Sequence, residues 1–150
     1  MKFLSLFVLA AAGTGVLAED GGFITSCDGS TIKVSGKYLT AKCKNILGTV
    51  ACSKLDLSQC LKNSYGLLDT DPIGAGPHFS DKNQCVNCST DPSTSGFIVG
   101  GSSQTLLHCQ CNSGTGASQA NWPVSFFDLD TLVSNNNGVL ECFKTKATKC

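Results

Sequence analysis

Ser53-Lys54-Leu55-Asp56-Leu57-Ser58-Gln59-Cys60-Leu61-Lys62-Asn63-Ser64-Tyr65-Gly66-Leu67-Leu68 returns later in the chain as Ser125-Phe126-Phe127-Asp128-Leu129-Asp130-Thr131-Leu132-Val133-Ser134-Asn135-Asn136-Asn137-Gly138-Val139-Leu140. The two align without a gap: a Ser, an apolar–Asp–Leu step, an apolar pair, then Asn-x-x-Gly-x-Leu. A repeated unit of this size implies that one supersecondary element is used twice. The match extends upstream, where Leu39-Thr40-Ala41-Lys42-Cys43 corresponds to Leu107-His108-Cys109-Gln110-Cys111, and more loosely Phe23 before Cys27 corresponds to Phe79 before Cys85.

Each unit reads as short strands around one helical turn. Residues 32–34 and 38–43 are β-prone runs flanking Ser35-Gly36, which predicts a hairpin. Asp56 and Asp128 are placed as N-caps, and the apolar residue before each cap (Leu55, Phe127) can staple onto Cys60 or Leu132. Asn63-Ser64-Tyr65-Gly66 and Asn135-Asn136-Asn137-Gly138 are turn signals that lead into a last strand. The Pro- and Gly-rich stretch 69–77 joins the units, and a Ser/Gly/Thr-rich loop, 89–103, lies inside the hairpin of the second.

The N-terminus has the pattern of a secretory signal, residues 1–18: Lys2, an apolar run over 3–12, and Val16-Leu17-Ala18 as the cleavage site. That run is too short to span a bilayer. The expected product is a secreted, extracellular chain, 19–150, forming a single domain, with repeat one at about 21–70, repeat two at about 78–143 and a C-terminal tail, 144–150. Ten cysteines in an exported chain imply a disulfide framework.

Spacing alone leaves many connectivities open, but the repeat narrows them. Cys60 and Cys142 each lack a cysteine at the mate position (Leu132, Thr70), so they pair, tying the first unit's helical turn to the second unit's last strand. Cys88 and Cys109 are likewise confined to one unit and pair. Cys27–Cys43 and Cys85–Cys111 are then the bonds that both units share, and Cys52 and Cys150 remain for each other. A closure as long as Cys60–Cys142 contributes ~4 kcal/mol in the chain-entropy model.

The formal net charge is zero and arginine is absent. The lysines form no run. Nucleic-acid binding draws on a basic face and bidentate Arg contacts, and anionic membrane binding draws on basic charge, so neither partner is expected. Glycosidases need a pair of carboxylates in different environments. Nucleases need acid–base pairs and cationic stabilisation. With two histidines, His78 and His108, and the aspartates at 56 and 128 used as caps, no catalytic set converges and no cofactor or metal is expected. Cys85-x-x-Cys88 with Cys109-x-Cys111 has the look of a zinc or redox site, but export favours disulfides. Asn87-Cys88-Ser89 is a glycosylation acceptor sequence.

The motifs Leu-x-x-x-Cys, apolar-Asp-Leu and Asn-x-x-Gly-x-Leu, each present twice between about residues 21 and 143, with a Phe ahead of the first cysteine in each unit (Phe23-x-x-x-Cys27, and more widely spaced at Phe79 and Cys85), resemble the cyanovirin-N homology family, in particular its cysteine-rich secreted fungal members. The resemblance implies a mostly β fold: two pseudo-symmetric tandem repeats, strand-exchanged, forming two triple-stranded sheets with hairpins and short helical turns. It implies a metal-independent lectin for high-mannose glycans, a monomer able to form a domain-swapped dimer, with two sites. One site joins Thr25 and Ser26 to Lys44, Asn45, Asn135, Asn136 and Asn137. The other joins Asn83 and Gln84 to Asn112, Ser113, Asn63, Ser64 and Tyr65. Neutral amides and hydroxyls suit sugar hydroxyls, which both donate and accept, and a tyrosine can offer a ring face. Tyr65 and Asn137 stand where the family commonly has Asp, and Lys44 where Glu can occur. The competing expectation is a secreted effector or cell-wall protein that uses the same scaffold to bind a protein, for which the loop 89–103 is the natural contact.

Overall fold

The computed structural model describes residues 21–91 and 104–150. The expected signal segment, 1–18, and most of the 89–103 loop lie outside the described residues. Among the described residues twelve strands form, and the regular helical elements are short 3-10 turns. Strands β1 (Lys33–Ser35), β2 (Tyr38–Lys44) and β3 (Val50–Asp56) form an antiparallel meander. Strands β6 (Cys85–Ser89), β7 (Leu106–Cys111) and β8 (Val124–Asp128) form a second one, with a bulge between Val86 and Ser89. The expected Ser35-Gly36 hairpin is the β1–β2 turn, where Ser35 pairs with Tyr38.

After each meander the chain makes one 3-10 turn, Leu57–Gln59 or Leu129–Thr131, and Asp56 and Asp128 cap them by accepting from the N–H groups of Ser58 and Asp130. An Asp at this point satisfies a donor the turn leaves free. Two-residue hairpins follow: β4 (Leu61–Ser64) with β5 (Leu67–Thr70), and β9 (Ser134–Asn136) with β10 (Val139–Cys142). Their turn residues all have positive φ: Tyr65 at 51°, Gly66 at 94°, Asn137 at 53° and Gly138 at 90°. That pair of left-handed residues matches the twist of a tight antiparallel hairpin.

In place of the expected two triple-stranded sheets, the described residues form four, of four, three, two and three strands. The hairpins stand as separate sheets, and the tail supplies β11 (Thr145–Lys146) beside β10 and β12 (Thr148–Lys149) beside β3. The region after β4–β5 is also more ordered than a bare linker. The carboxylate of Asp71, only 2% exposed, accepts from Ala75 and Gly76 N–H at 3.1 Å each.

One apolar core gathers Phe23, Leu39, Leu55, Leu57 and Leu61 together with Phe79, Leu107, Leu129, Val133 and Leu140, all essentially inaccessible. It follows from the alternation of each strand: Leu39, Ala41 and Cys43 point in from β2 while Lys42 and Lys44 point out. The cysteines join as Cys27–Cys43, Cys52–Cys150, Cys60–Cys142, Cys85–Cys111 and Cys88–Cys109. Cys85-x-x-Cys88 and Cys109-x-Cys111 are thus two disulfide rungs across β6 and β7.

Candidate carbohydrate site

The hairpin β4–β5 begins with Asn63, 7% exposed. Its amide donates to the carbonyls of Gln84 (3.3 Å) and Asn112 (2.8 Å) and to Gln84 Oε1 (3.0 Å), while its Oδ1 accepts from Gly66 N–H. Asn135 does the same work in the other hairpin. Its amide donates to Ser26 Oγ (2.9 Å) and the Lys44 carbonyl (2.8 Å), and its Oδ1 accepts from Gly138 N–H. In both cases an asparagine in front of a tight turn is fastened to loops far away in sequence, and its polar capacity goes to those protein partners.

A cleft of about 410 Å³ opens beside Asn63, lined by Lys62, Asn63, Ser64, Tyr65, Gly76, Pro77, Gln84, Asn112 and Gly114. Five of the residues nominated for the second patch, Asn63, Ser64, Tyr65, Gln84 and Asn112, meet here. Asn83 joins through its carbonyl, which accepts from the Asn112 amide at 3.1 Å, and Ser113 packs against Gly66. Tyr65 is 87% exposed at the rim.

A second cleft, of about 370 Å³, is lined by Thr25, Ser26, Cys27, Asp28, Lys42, Lys44 and Val50. Of the first patch it takes in Thr25, Ser26 and Lys44. Asn135 adjoins it through its bonds to Ser26 and Lys44, and Asn45 follows Lys44 in the chain; Asn136 and Asn137 are not in its lining, and Asn45, Asn136 and Asn137 make structural bonds. Asn45 Oδ1 accepts from Leu47 and Thr49 N–H, Asn137 Oδ1 accepts from Ile46 N–H at 2.9 Å, and the Asn136 amide donates to the Glu141 carboxylate. Asp28 is held below the usual carboxylate range by bonds from the Ser30 hydroxyl and N–H, aided by the charge of Lys42.

Sequence reasoning missed Lys62, Gly76, Pro77 and Gly114 in one cleft and Asp28, Lys42 and Val50 in the other. Period-2 alternation was the available signal for Lys42 and Lys62, since Lys42 stands two positions from Lys44 and Lys62 two positions from Ser64, each pair on the same strand face. Gly76 and Pro77 arrive through the fold of the 71–77 segment around Asp71, which local pattern does not reveal. A further recess of about 450 Å³, lined by Asn87, Cys88, Ser89, His108, Cys109, Gln110 and Val124, was not anticipated. Burial holds the His108 imidazole below its ordinary value, with Asp91 pulling the other way.

A disulfide-stapled β domain with two polar clefts, each beside an Asn-x-x-Gly hairpin, is the class of protein these features define. The chain belongs to the CVNH domain family, whose model matches residues 23–141. Among solved structures it is similar to the CVNH protein of Gibberella zeae (24% identity, 81% of this chain and 96% of that one, TM-score 0.61). It is similar to a MoCVNH3 variant in complex with a GlcNAc tetramer (19% identity, 81% and 97%, TM-score 0.60). A third likeness is to microvirin, solved with mannobiose (24% identity, 81% and 98%, TM-score 0.57). Among curated proteins, none matches the chain.

Proposed function

We propose that this chain is a secreted, metal-independent lectin that binds mannose-type glycans and performs no catalysis. The observation that carries this is the pair of polar clefts, the larger lined by amides and hydroxyls and the smaller by hydroxyls and lysines, each beside a turn that an Asn (Asn63 or Asn135) pins in place. Such groups are held before a sugar arrives, so little conformational freedom is lost on binding. The sugar complexes of the MoCVNH3 variant and of microvirin support the reading. In it, the units exchange their last hairpins. The packing of β5 against β8 and of β10 against β3 supports that arrangement, as does the Cys60–Cys142 bond.

The protein-binding alternative draws on one observation. Ile46 and Leu47, 86% and 83% exposed, form an aliphatic hairpin tip beside the smaller cleft.

The test is a glycan array with the wild-type chain, a Thr25→Trp variant that fills the smaller cleft and a Tyr65→Asn variant that removes the ring from the larger one. Binding to mannose-rich glycans, reduced by one or both variants, supports the lectin. A folded protein that binds no glycan would move the function to the aliphatic tip and a protein partner.

A further inference from the structure

The outer face of the first sheet concentrates positive charge that the linear sequence disperses. On β2, Thr40, Lys42 and Lys44 face outward while Leu39, Ala41 and Cys43 are buried. Lys33 and Lys54 are the cross-strand partners of Thr40 on either side, which sets them about 10 Å apart, two strand spacings. Lys42 and Lys44 lie about 7 Å apart along the strand. Lys54 also rests over the Tyr38 ring, 4.2 Å from its centroid.

Among the described side chains, the carboxylates of Asp56 and Asp28 adjoin this face, and both are engaged. Asp56 pairs with Lys37 at 2.8 Å. Asp28 accepts from the N–H and hydroxyl of Ser30 and has Lys42 close by. Among the described residues Lys37–Asp56 is the ion pair that forms, so Lys33, Lys42, Lys44 and Lys54 present their charge outward. Lys42 and Lys44 also line the smaller cleft. A polymer with one unit in that cleft would therefore lay its neighbouring units over lysines.

We infer that the smaller cleft and the lysine face beside it bind an acidic polysaccharide, one bearing uronate or sulfate groups, while the larger cleft takes neutral glycan. This rests on the carbohydrate reading above and divides it between the two clefts. The charge suits such a polymer: separated ammonium groups neutralise monoanionic carboxylates or sulfates as point charges, with no fork geometry demanded. Nucleic acid is the less favoured occupant of the same charge. The arginines that give bidentate contacts to bases are absent from the chain, and the cleft at the end of the lysine row is lined by hydroxyls, with no aromatic on which a base would stack.

The test titrates the full chain with polygalacturonate, neutral mannan and a DNA duplex, at low and high salt. The expected result is polygalacturonate binding that weakens steeply with salt. Lys42→Gln/Lys44→Gln should lower that binding about tenfold or more and Lys33→Gln/Lys54→Gln should lower it less, as loss of interfacial charge predicts. Asp28→Asn should strengthen it, and Lys82→Gln, an exposed lysine off this face, should leave it unchanged. All five positions on the face are solvent-facing or partly so, and circular dichroism confirms that the variants fold. Mannan binding without polygalacturonate binding overturns this inference and leaves the lectin standing. Binding of neither glycan overturns both. Polygalacturonate binding that is indifferent to all four lysines, or DNA bound in its place, overturns the assignment of the face.

Discussion

The backbone N–H of Leu140 donates to the hydroxyl of Ser53 at 2.9 Å, across 87 positions of chain. Leu68 donates to Ser125 at 2.8 Å, and Ser53 and Ser125 stand at the same place in the two aligned segments. Each hairpin is thus fastened by the serine of the other aligned segment, inside the core, where Ser53 is 2% and Ser125 4% exposed.

Replacing either serine by alanine leaves a buried N–H without its acceptor. The cost expected for Ser53→Ala or Ser125→Ala is about 1–3 kcal/mol each, read from denaturant midpoints. A change within about 0.5 kcal/mol, ordinary for a surface substitution, would show that the hydroxyl is dispensable.

Asp71 fixes the connection between the units. Besides accepting from Ala75 and Gly76, it donates its own N–H to the Cys60 carbonyl at 2.8 Å, and Gly76 lies so near Lys62 that an added Cβ would meet Lys62 Cδ at 2.8 Å. Asp71→Ala removes both buried acceptors and is expected to cost about 2–3 kcal/mol. Size-exclusion chromatography at raised concentration should show more dimer, since a freed connection lets units exchange between chains. Unchanged elution would mean that other contacts hold the connection closed.

His108 is 5% exposed on β7, and burial lowers its pKa from 6.5. The unfolded chain therefore binds this proton at a higher pH than the folded one, and the sign follows. The stability contribution is whole above pH about 6.5 and is lost as pH falls through that value toward the folded pKa. Melting temperatures between pH 7.5 and 5 should decline, and His108→Gln should flatten the decline. An identical slope in the variant would assign it to other groups.

The local pattern made the elements legible. Asp56 and Asp128 cap turns because an acceptor is needed there, and Asn63 and Asn135 announce hairpins because the sequence ahead of each Gly fits nothing longer. The pairing of Cys60 with Cys142 followed from both lacking a mate. What escaped was set by tertiary arrangement. Sheet edges taken up by residues 145–149 depend on where the tail can reach. The lysine face needs β1, β2 and β3 aligned in register before Lys33, Lys42, Lys44 and Lys54 become neighbours. The hydrogen bonds by which Asn63 and Asn135 hold distant loops are likewise invisible until Gln84, Asn112, Ser26 and Lys44 are brought beside them.

Tyr65 and Asn137 occupy the same left-handed turn position, at φ 51° and 53°, with opposite consequences. Asparagine tolerates this region and an aromatic does not, at a cost of about 1 kcal/mol. Tyr65→Asn should therefore stabilise the fold by about 0.5–1 kcal/mol while lowering sugar binding at the larger cleft, where the exposed ring offers a face. The reverse change, Asn137→Tyr, should destabilise by more, since it also removes the acceptor of Ile46 N–H. A strained aromatic kept at the rim of a cleft is what a binding role predicts. If Tyr65→Asn raises stability and leaves every glycan affinity unchanged, the ring has no part in recognition and the larger cleft binds through its amides alone.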